Sequence, residues 1–300
     1  MTTQASVLLL GRSCTVTVGT VKVANIGKAS GLDVWFSVRR SLRPKESNTC
    51  DLRLYGLSDK TRKAIEASSQ PSTAVQSAPG VPSTIVPVKI EAGFLGNVST
   101  IFLGEMRSAQ TMTDGPDNVT ELTTGDGDTA GILARSTASF GPGANAYVVA
   151  KRLLQDMKCG AGNIESFAQV LRASPLYGGG AVLKGNSLAI LKDLASSCAL
   201  EVSLQGGVAQ FVNLGQPLKG EAYSLSSDTG LIGSPSVDTK GVLTCETLML
   251  PGMNPGSPIQ MAAKYVTGLY RVVSVETTGD MSGNDWKHDI EARRYGTGLG

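Results

Sequence analysis

Histidine is almost missing from this chain: His288 is the only one in 300 residues. Any chemistry that needs an imidazole base would have to run through that one side chain. It falls in the stretch Trp286-Lys-His-Asp-Ile290, where period-2 alternation puts it on one face with Trp286 and Ile290. That reads as a packed or interface residue rather than a general base. There is no G-x-S-x-G elbow and no comparable cysteine site, so the common nucleophilic arrangements are missing too. Charge is also scarce. Charged residues are 17% of the chain and the formal net charge is +2, with no basic stripe of the kind that phosphate neutralisation demands. The two basic clusters, Arg39-Arg40 with Arg43 and Lys45, and Arg293-Arg294, read as a solvated turn and a solvated chain end.

Cysteine is sparse and scattered. Cys14, Cys50, Cys159, Cys198 and Cys245 make an odd count with no C-x-x-C pair, which argues against a zinc site, a redox site or a secreted disulfide framework. They read as small buried residues in a reduced compartment. Long apolar runs are lacking as well. Val7 to Leu10 followed by Cys14 has the outline of a lipoprotein leader, but there is no basic n-region, the run is too short, and Arg12 occupies a position where small residues are needed. No window approaches membrane-spanning length, so we expect no membrane anchor and folding in the cytoplasm.

Glycine is abundant, at 36 residues, with 41% hydrophobic and only 5% aromatic residues. This composition suits a turn-rich β architecture with a weakly charged surface that an assembly would bury. The length suggests roughly two domains. Val34 to Ile65 is the most informative block. Val34, Phe36 and Val38 alternate with Ser37 and Arg39, and Cys50, Leu52 and Leu54 alternate with Asp51 and Arg53, giving two half-buried strands. Between them, Ser41 to Asn48 reads as a solvated turn around Pro44. After Gly56, Ser58 caps a helix start running to Ile65. Residues 66–84, rich in Ser, Pro and Ala, read as a flexible surface loop. Further strands follow at 86–92, 100–112 and 119–124.

From residue 126 the pattern changes. A strand at 134–140 leads to a helix from Asn145 to Met157 with Ala146, Val149, Ala150, Leu153 and Leu154 on one face, and a second helix covers Ser187 to Ser196, capped by Asn186 or Ser187. Strands at 200–204 and 208–213 flank Gln205-Gly-Gly207 as a tight hairpin. Strands resume at 242–249, 259–262, 269–278 and 286–293. Gly180 to Ser187 nearly matches a phosphate-binding loop, but Asn186 stands where the lysine is required, so it reads as a helix cap. Asp126-Gly-Asp128 opens like a calcium loop, but Ala130 and Thr137 stand at two ligand positions, so it reads as a polar turn. No catalytic residue, cofactor ligand or metal ligand is nominated.

One internal echo stands out. Thr111-x-x-Asp114-x-x-x-Asn118 and Thr277-x-x-Asp280-x-x-x-Asn284 each lie between two strands, and each follows a G-x-x-R, at Gly104–Arg107 and Gly268–Arg271. If the echo is structural, it marks two related hairpin-bearing barrels, and unrelated strand order would sink it.

The Val34 to Ile65 block resembles the first domain of bacteriophage baseplate hub proteins: strand, R-x-L-x-P-x-x-x-N-T, strand, Y-x-L-S, T-R-x-x-I. Further patches are similar to that family at Asp228–Pro235, Gly241–Cys245, Leu248–Gly256 and Gly268–Val275, then at Gly279-Asp280 and Asn284–Trp286. Gly56 and Thr277 depart from residues common there. The resemblance implies a mainly β, α+β fold with two tube-type β-barrel domains and a small intervening α+β module. The expected division is 1–125 for the first barrel, 126–235 for the module, whose first strand could belong to the second barrel, and 236–300 for the second barrel. It further implies a non-enzymatic structural hub at the phage tail tip, adapting a sixfold tail tube to a threefold spike and forming part of the DNA-ejection channel. The implied partners are two further copies in a homotrimer, the tail tube protein, the spike protein, and tape-measure, baseplate wedge or tail-fibre proteins. DNA would pass through without specific binding. The implied location is the virion, after assembly in the host bacterial cytoplasm. Two alternatives stand beside this: a tail-associated peptidoglycan hydrolase, and a tail tube or secretion-apparatus ring protein with one barrel per chain.

Overall fold

The computed structural model describes residues 11–26, 32–43, 46–69, 86–115, 117–126, 134–177 and 180–295. The first part of the chain forms β1 (Arg12–Val18), β2 (Val21–Ile26), β3 (Asp33–Ser41), β4 (Thr49–Tyr55), α1 (Asp59–Ser69), β5 (Pro87–Phe94), β6 (Asn97–Asp114) and β7 (Asp117–Gly125). Alternation decides these strands: β4 buries Cys50, Leu52 and Leu54 while Asp51 and Arg53 face solvent, the pattern of a sheet with one covered face. The expected loop at 66–84 is helical over its first residues, because α1 continues to Ser69; the rest of it, and Pro44 and Lys45 of the expected turn, lie outside the described residues.

The middle part forms β8 (Arg135–Phe140), β9 (Ala144–Asn145), α2 (Ala146–Met157), a 3-10 turn at Ile164–Phe167, α3 (Ala168–Ala173), β10 (Pro175–Tyr177), β11 (Ala181–Asn186), α4 (Ser187–Ser197), β12 (Leu200–Gln205) and β13 (Val208–Asn213). Asn145 Oδ1 accepts from the Val148 amide at 3.1 Å and Asn186 Oδ1 from the Ala189 amide at 2.9 Å, so both expected helix starts are capped by asparagine. Asn145→Ala should lower stability by about 1 kcal/mol in a urea melt, the usual loss for an N-cap. Gly162 must stay a glycine: its φ is +56°, and a Cβ there would lie 1.7 Å from the Ala209 carbonyl oxygen.

The last part forms β14 (Tyr223–Leu225), β15 (Leu231–Val237), β16 (Val242–Leu248), β17 (Pro258–Ala262), β18 (Thr267–Asp280) and β19 (Trp286–Arg294). Instead of two separate barrels, the first and last parts share one 13-stranded sheet, ordered β15-β16-β19-β18-β3-β4-β7-β6-β5-β1-β2 with β17 and β14 branching from β18. Among the described residues it closes no barrel. The long β18 causes the merger. One of its edges pairs with β19, while the other carries β17 against Thr267–Arg271 and β3 against Ser274–Asp280.

Within this sheet the two parts follow one strand order: β3-β4-β7-β6-β5 is matched by β15-β16-β19-β18-β17. The ladders agree residue by residue. Ser108 opposes Thr123, and Ser274 opposes Glu291; each strand has one bulged residue just before, Arg107 in β6 and Val273 in β18. β4 and β16 also share one burial pattern. This alignment equates Thr111 with Thr277 and Asp114 with Asp280, as the echo does. It does not equate Asn118 with Asn284, because the β18–β19 turn is two residues longer, with Gly279 opposite Trp286 where Thr113 is opposite Asn118.

Three buried clusters underlie the architecture. One lies within the first part, with Ile65 of α1, and also takes in Met249, Met281 and Trp286 from the last part; Phe36 and Trp286 meet edge to face at 5.8 Å across the junction. A second fills the helical middle part, and a third the last part.

Candidate functional site

The most extended candidate surface among the described residues is the outward side of eight consecutive strands, from β6 through β7, β4, β3, β18, β19 and β16 to β15. Cross-strand register sets its side chains in rows. One row runs Glu246, Asp289, Glu276, Arg39; another runs Lys287, Thr278, Ser37, Asp51, Thr123; a third runs Trp35, Arg53, Glu121. The charges interlock: Arg39 pairs with Glu276 at 3.0 Å, Arg53 with Glu121 at 2.9 Å and Lys287 with Glu246 at 3.3 Å, and Arg43 reaches Glu291 from the turn. Arg53 also lies 4.9 Å over the Trp35 ring. Carboxylates outnumber cations on this face, and burial with the neighbouring Glu246 and Glu276 charges pushes the Asp289 carboxyl up from its usual range despite Lys287. Because the pairs are exposed, each contributes little to stability. A cleft of about 590 Å³ crosses the β3–β18 junction here, lined by Arg39, Arg43, Glu46, Glu276 and Glu291 among others.

Behind the face, three polar contacts lock the parts together. Asn48 and Asp126 form the first. Asp126 accepts from Asn48 Nδ2 at 3.0 Å and from the amides of Gly206 and Gly207 at 2.7 and 2.8 Å, and Asn48 also donates to the Leu204 carbonyl at 2.7 Å. The β12–β13 hairpin of the middle part is thereby pinned to β4 and β7. Burial raises the Asp126 carboxyl even though these donors and Arg40 favour its ionised form. Arg271 and Glu201 form the second, at 2.5 Å. The third is Arg12, which donates to the carbonyls of Asp280, Gly283 and Asn284 and lies 5.5 Å over the Trp286 ring, so β1 clamps the β18–β19 turn.

Several sequence expectations meet this geometry directly. His288 is fully buried: its Nδ1 lies 2.8 Å from the Thr277 hydroxyl and its Nε2 3.0 Å from the Leu250 carbonyl. Burial lowers its pKa to about 4, with Arg40 acting in the same direction. The Ser41–Asn48 turn is not simply solvated, because Ser41, Leu42 and Asn48 are buried; Asn48 Oδ1 also accepts from the Ser41 amide at 2.9 Å. Arg40 is buried as well, donating to Asn254 and to the Met253 carbonyl at 2.7 Å, because it points to the core side of β3. Desolvation lowers its pKa to about 10. Arg293 and Arg294 are exposed but belong to β19, where they pair with Arg271 and Tyr270 of β18 rather than forming a solvated chain end. Asp126, read as half of a polar turn, is instead a buried acceptor whose oxygens are filled by N–H donors; Gly127 to Gly131 of the calcium-like run lie outside the described residues. The phosphate-loop near-match is β11 followed by the Asn186 cap. All five cysteines are free, four of them buried. Among the described residues no helix is long and apolar enough to cross a membrane, and no cluster of His, Cys, Asp and Glu could hold a metal ion.

The sequence model of the Baseplate hub gp41 family matches residues 15–266. The chain belongs to that family. Its members are phage baseplate hub proteins, structural components of the tail. Solved structures with the same fold include the 43 kDa tail protein of prophage MuSo2 from Shewanella oneidensis, at TM-score 0.61 and 11% identity over 94% of this chain and 98% of that one. The tail protein from Neisseria meningitidis MC58 gives 0.60 and 10%, over 95% and 96%. A component of the Escherichia coli type VI secretion system, described as similar to the T4 phage tail proteins gp27 and gp5, gives 0.56 and 11%, over 94% and 77%. No curated protein matches the chain.

Proposed function

We propose that this hub protein works as a homotrimer at the tail tip, joining a sixfold tail tube to a threefold spike and forming part of the channel through which DNA leaves. The observation that carries this reading is the repeated strand order, with its bulges aligned, in one chain. Two similar units per chain and three chains give six similar positions in a ring, so one side can meet a sixfold tube while the other keeps threefold symmetry. The units correspond to the tube-type domains expected at 1–125 and 236–300, the second reaching back to take in β14 and β15, with the helical part before Tyr223 as the intervening module. The polar eight-strand face then becomes the channel wall. Its carboxylate excess repels phosphate, which favours passage over binding. The tail tube protein, the spike, and tape-measure, wedge or fibre proteins are the proposed neighbours, and the virion tail tip the proposed location. A reconstruction of the tail tip tests this. Threefold density for this chain between tube and spike is the expected result; a stable dimer in that position, or sixfold copies, would refute it.

A further inference from the structure

The small sheet of the middle part leaves one edge bare. β8 pairs with β11 along Arg135–Phe140, and among the described residues no strand lies along its other edge. A groove of about 370 Å³ runs beside that edge. It is lined by Ala138, Ser139 and Phe140 of β8 and by one stripe of α2 that includes Val148, Lys151 and Arg152, with no residue from β11. Successive strand residues point to opposite faces, so three in a row border one groove only through the edge of their strand. Nothing blunts this edge. β8 has no proline and no bulge, and its only charge, Arg135, stands at the end away from the groove, although such devices are the usual safeguard against pairing. Val148, half exposed, leaves apolar surface open beside it. The surroundings are basic. β8, α2 and β11 together carry Arg135, Lys151, Arg152 and Lys184 against one carboxylate, Asp156. That carboxylate is already taken, accepting from Ser136 Oγ at 2.6 Å and from Arg152 Nε at 2.9 Å. The two Nη groups of Arg152 make no hydrogen bond to the described residues, and its side chain is half exposed. Lys151 meets Glu165 at 2.8 Å in an exposed pair, which a better-placed carboxylate can replace at little loss.

We infer that this groove receives an extended acidic segment of a different protein, which adds to β8 as a third strand. Main-chain bonds along the bare edge hold it, as in other strand additions, and a two-stranded sheet gains most from a further strand. Side chains supply the selection. In β8, Ser136 is buried while Arg135, Thr137 and Ser139 are exposed, so the alternation sets Ser136, Ala138 and Phe140 toward the helices. An added strand continues that alternation. Every second residue of it faces α2, over Val148 and within reach of Lys151 and Arg152, where a carboxylate is favoured. This chain is itself a poor source of such a strand. The end strands of its large sheet, β2 and β15, hold no carboxylate, and its segments outside the described residues contain one acidic residue, Asp128. The partner is therefore a foreign acidic strand rather than a second copy. This inference goes beyond the symmetry reading and does not need it, because a hub of any symmetry presents the same groove.

A short labelled peptide of alternating Glu and Thr, titrated into the purified full chain and read by fluorescence anisotropy, tests the site. Saturable binding is the expected result, absent for the same peptide with Lys in place of Glu. N-methylation of alternate residues should abolish binding in one phase and spare it in the other, since only every second amide of an added strand faces its neighbour. Lys151→Gln with Arg152→Gln should weaken binding by about tenfold or more, the scale of two lost charge-assisted contacts, with the melting temperature nearly unchanged. Complete tails give a second reading. The Thr137–Phe140 amides should exchange more slowly in tails than in the purified chain, and the double variant should lose that protection. Absence of saturable binding, equal binding of the lysine peptide, or equal exchange in tail and free chain would each overturn the proposal. Protection that grows with the concentration of the purified chain would place a second copy in the groove and overturn the foreign strand.

Discussion

Asp126→Ala is expected to lower the unfolding free energy by about 3 kcal/mol and to release the β12–β13 hairpin from the sheet. The magnitude follows from what is orphaned. The amides of Gly206 and Gly207 and the Asn48 side chain all donate to this carboxylate, and a donor left unsatisfied in a buried junction loses more than the bond is worth net. The loss also removes a negative charge that supports the ionised form of Arg40. Asp126→Asn separates acceptor from volume. It keeps the shape but turns an amide NH2 toward one of the three donors, so it should recover only part of the stability. Urea melts give the totals, and amide hydrogen exchange locates the effect: Gly206 and Gly207 should exchange much faster while the β3–β4 ladder stays protected. Unchanged exchange at the two glycines would show that the junction does not depend on the carboxylate.

Much of the sheet can be read from the sequence because burial on one face writes an alternation into it. β3, β4, β13 and β19 declare themselves that way, and the two principal helices by apolar spacing with an asparagine cap. The same signal is present in β1, where Cys14, Val16 and Val18 are buried, although as sequence that segment is weighed only against a leader, which is rejected, and no strand is expected there. β15 gave little signal, since an edge strand with Gly233 and Pro235 and a broken register has no covered face to impose period 2. The merger of two units into one sheet was illegible for a different reason: nothing local marks β18 as long enough to carry two partners on one edge. The polar junctions are hidden because most of their bonds have a backbone group as one partner. Arg12 binds three carbonyls about 270 residues away, and a carbonyl carries no residue identity. Asn48 and Asp126 were recognised as turn formers. Their second role depends on the Gly206–Gly207 amides, which any residues in that turn could have supplied.

Acidification below pH 6.5 should weaken the fold through His288. The ring is neutral in the folded chain, with Nε2–H donating to the Leu250 carbonyl and Nδ1 accepting from the Thr277 hydroxyl. Burial, helped by Arg40, holds its pKa near 4 against 6.5 for an exposed histidine. A base whose folded pKa is depressed binds protons more readily when unfolded, so its contribution is present above pH 6.5 and is lost as pH falls toward 4. The loss comes to about 2 kcal/mol by pH 5 and about 3 kcal/mol by pH 4. Asp126 and Asp289 act in the opposite sense, because their carboxyls are raised and take up protons more readily in the folded state. They therefore offset the histidine's loss rather than add to it, so a net fall in stability on acidification is the histidine's. His288→Gln removes the titration while an amide can still donate toward Leu250. The variant should start less stable at pH 7, through imperfect packing, yet its urea midpoint should stay nearly level down to pH 5, where the parent's falls. If both midpoints fall in parallel over that interval, the acid sensitivity lies elsewhere than in the Thr277–His288–Leu250 contact behind the β18–β19 ladder.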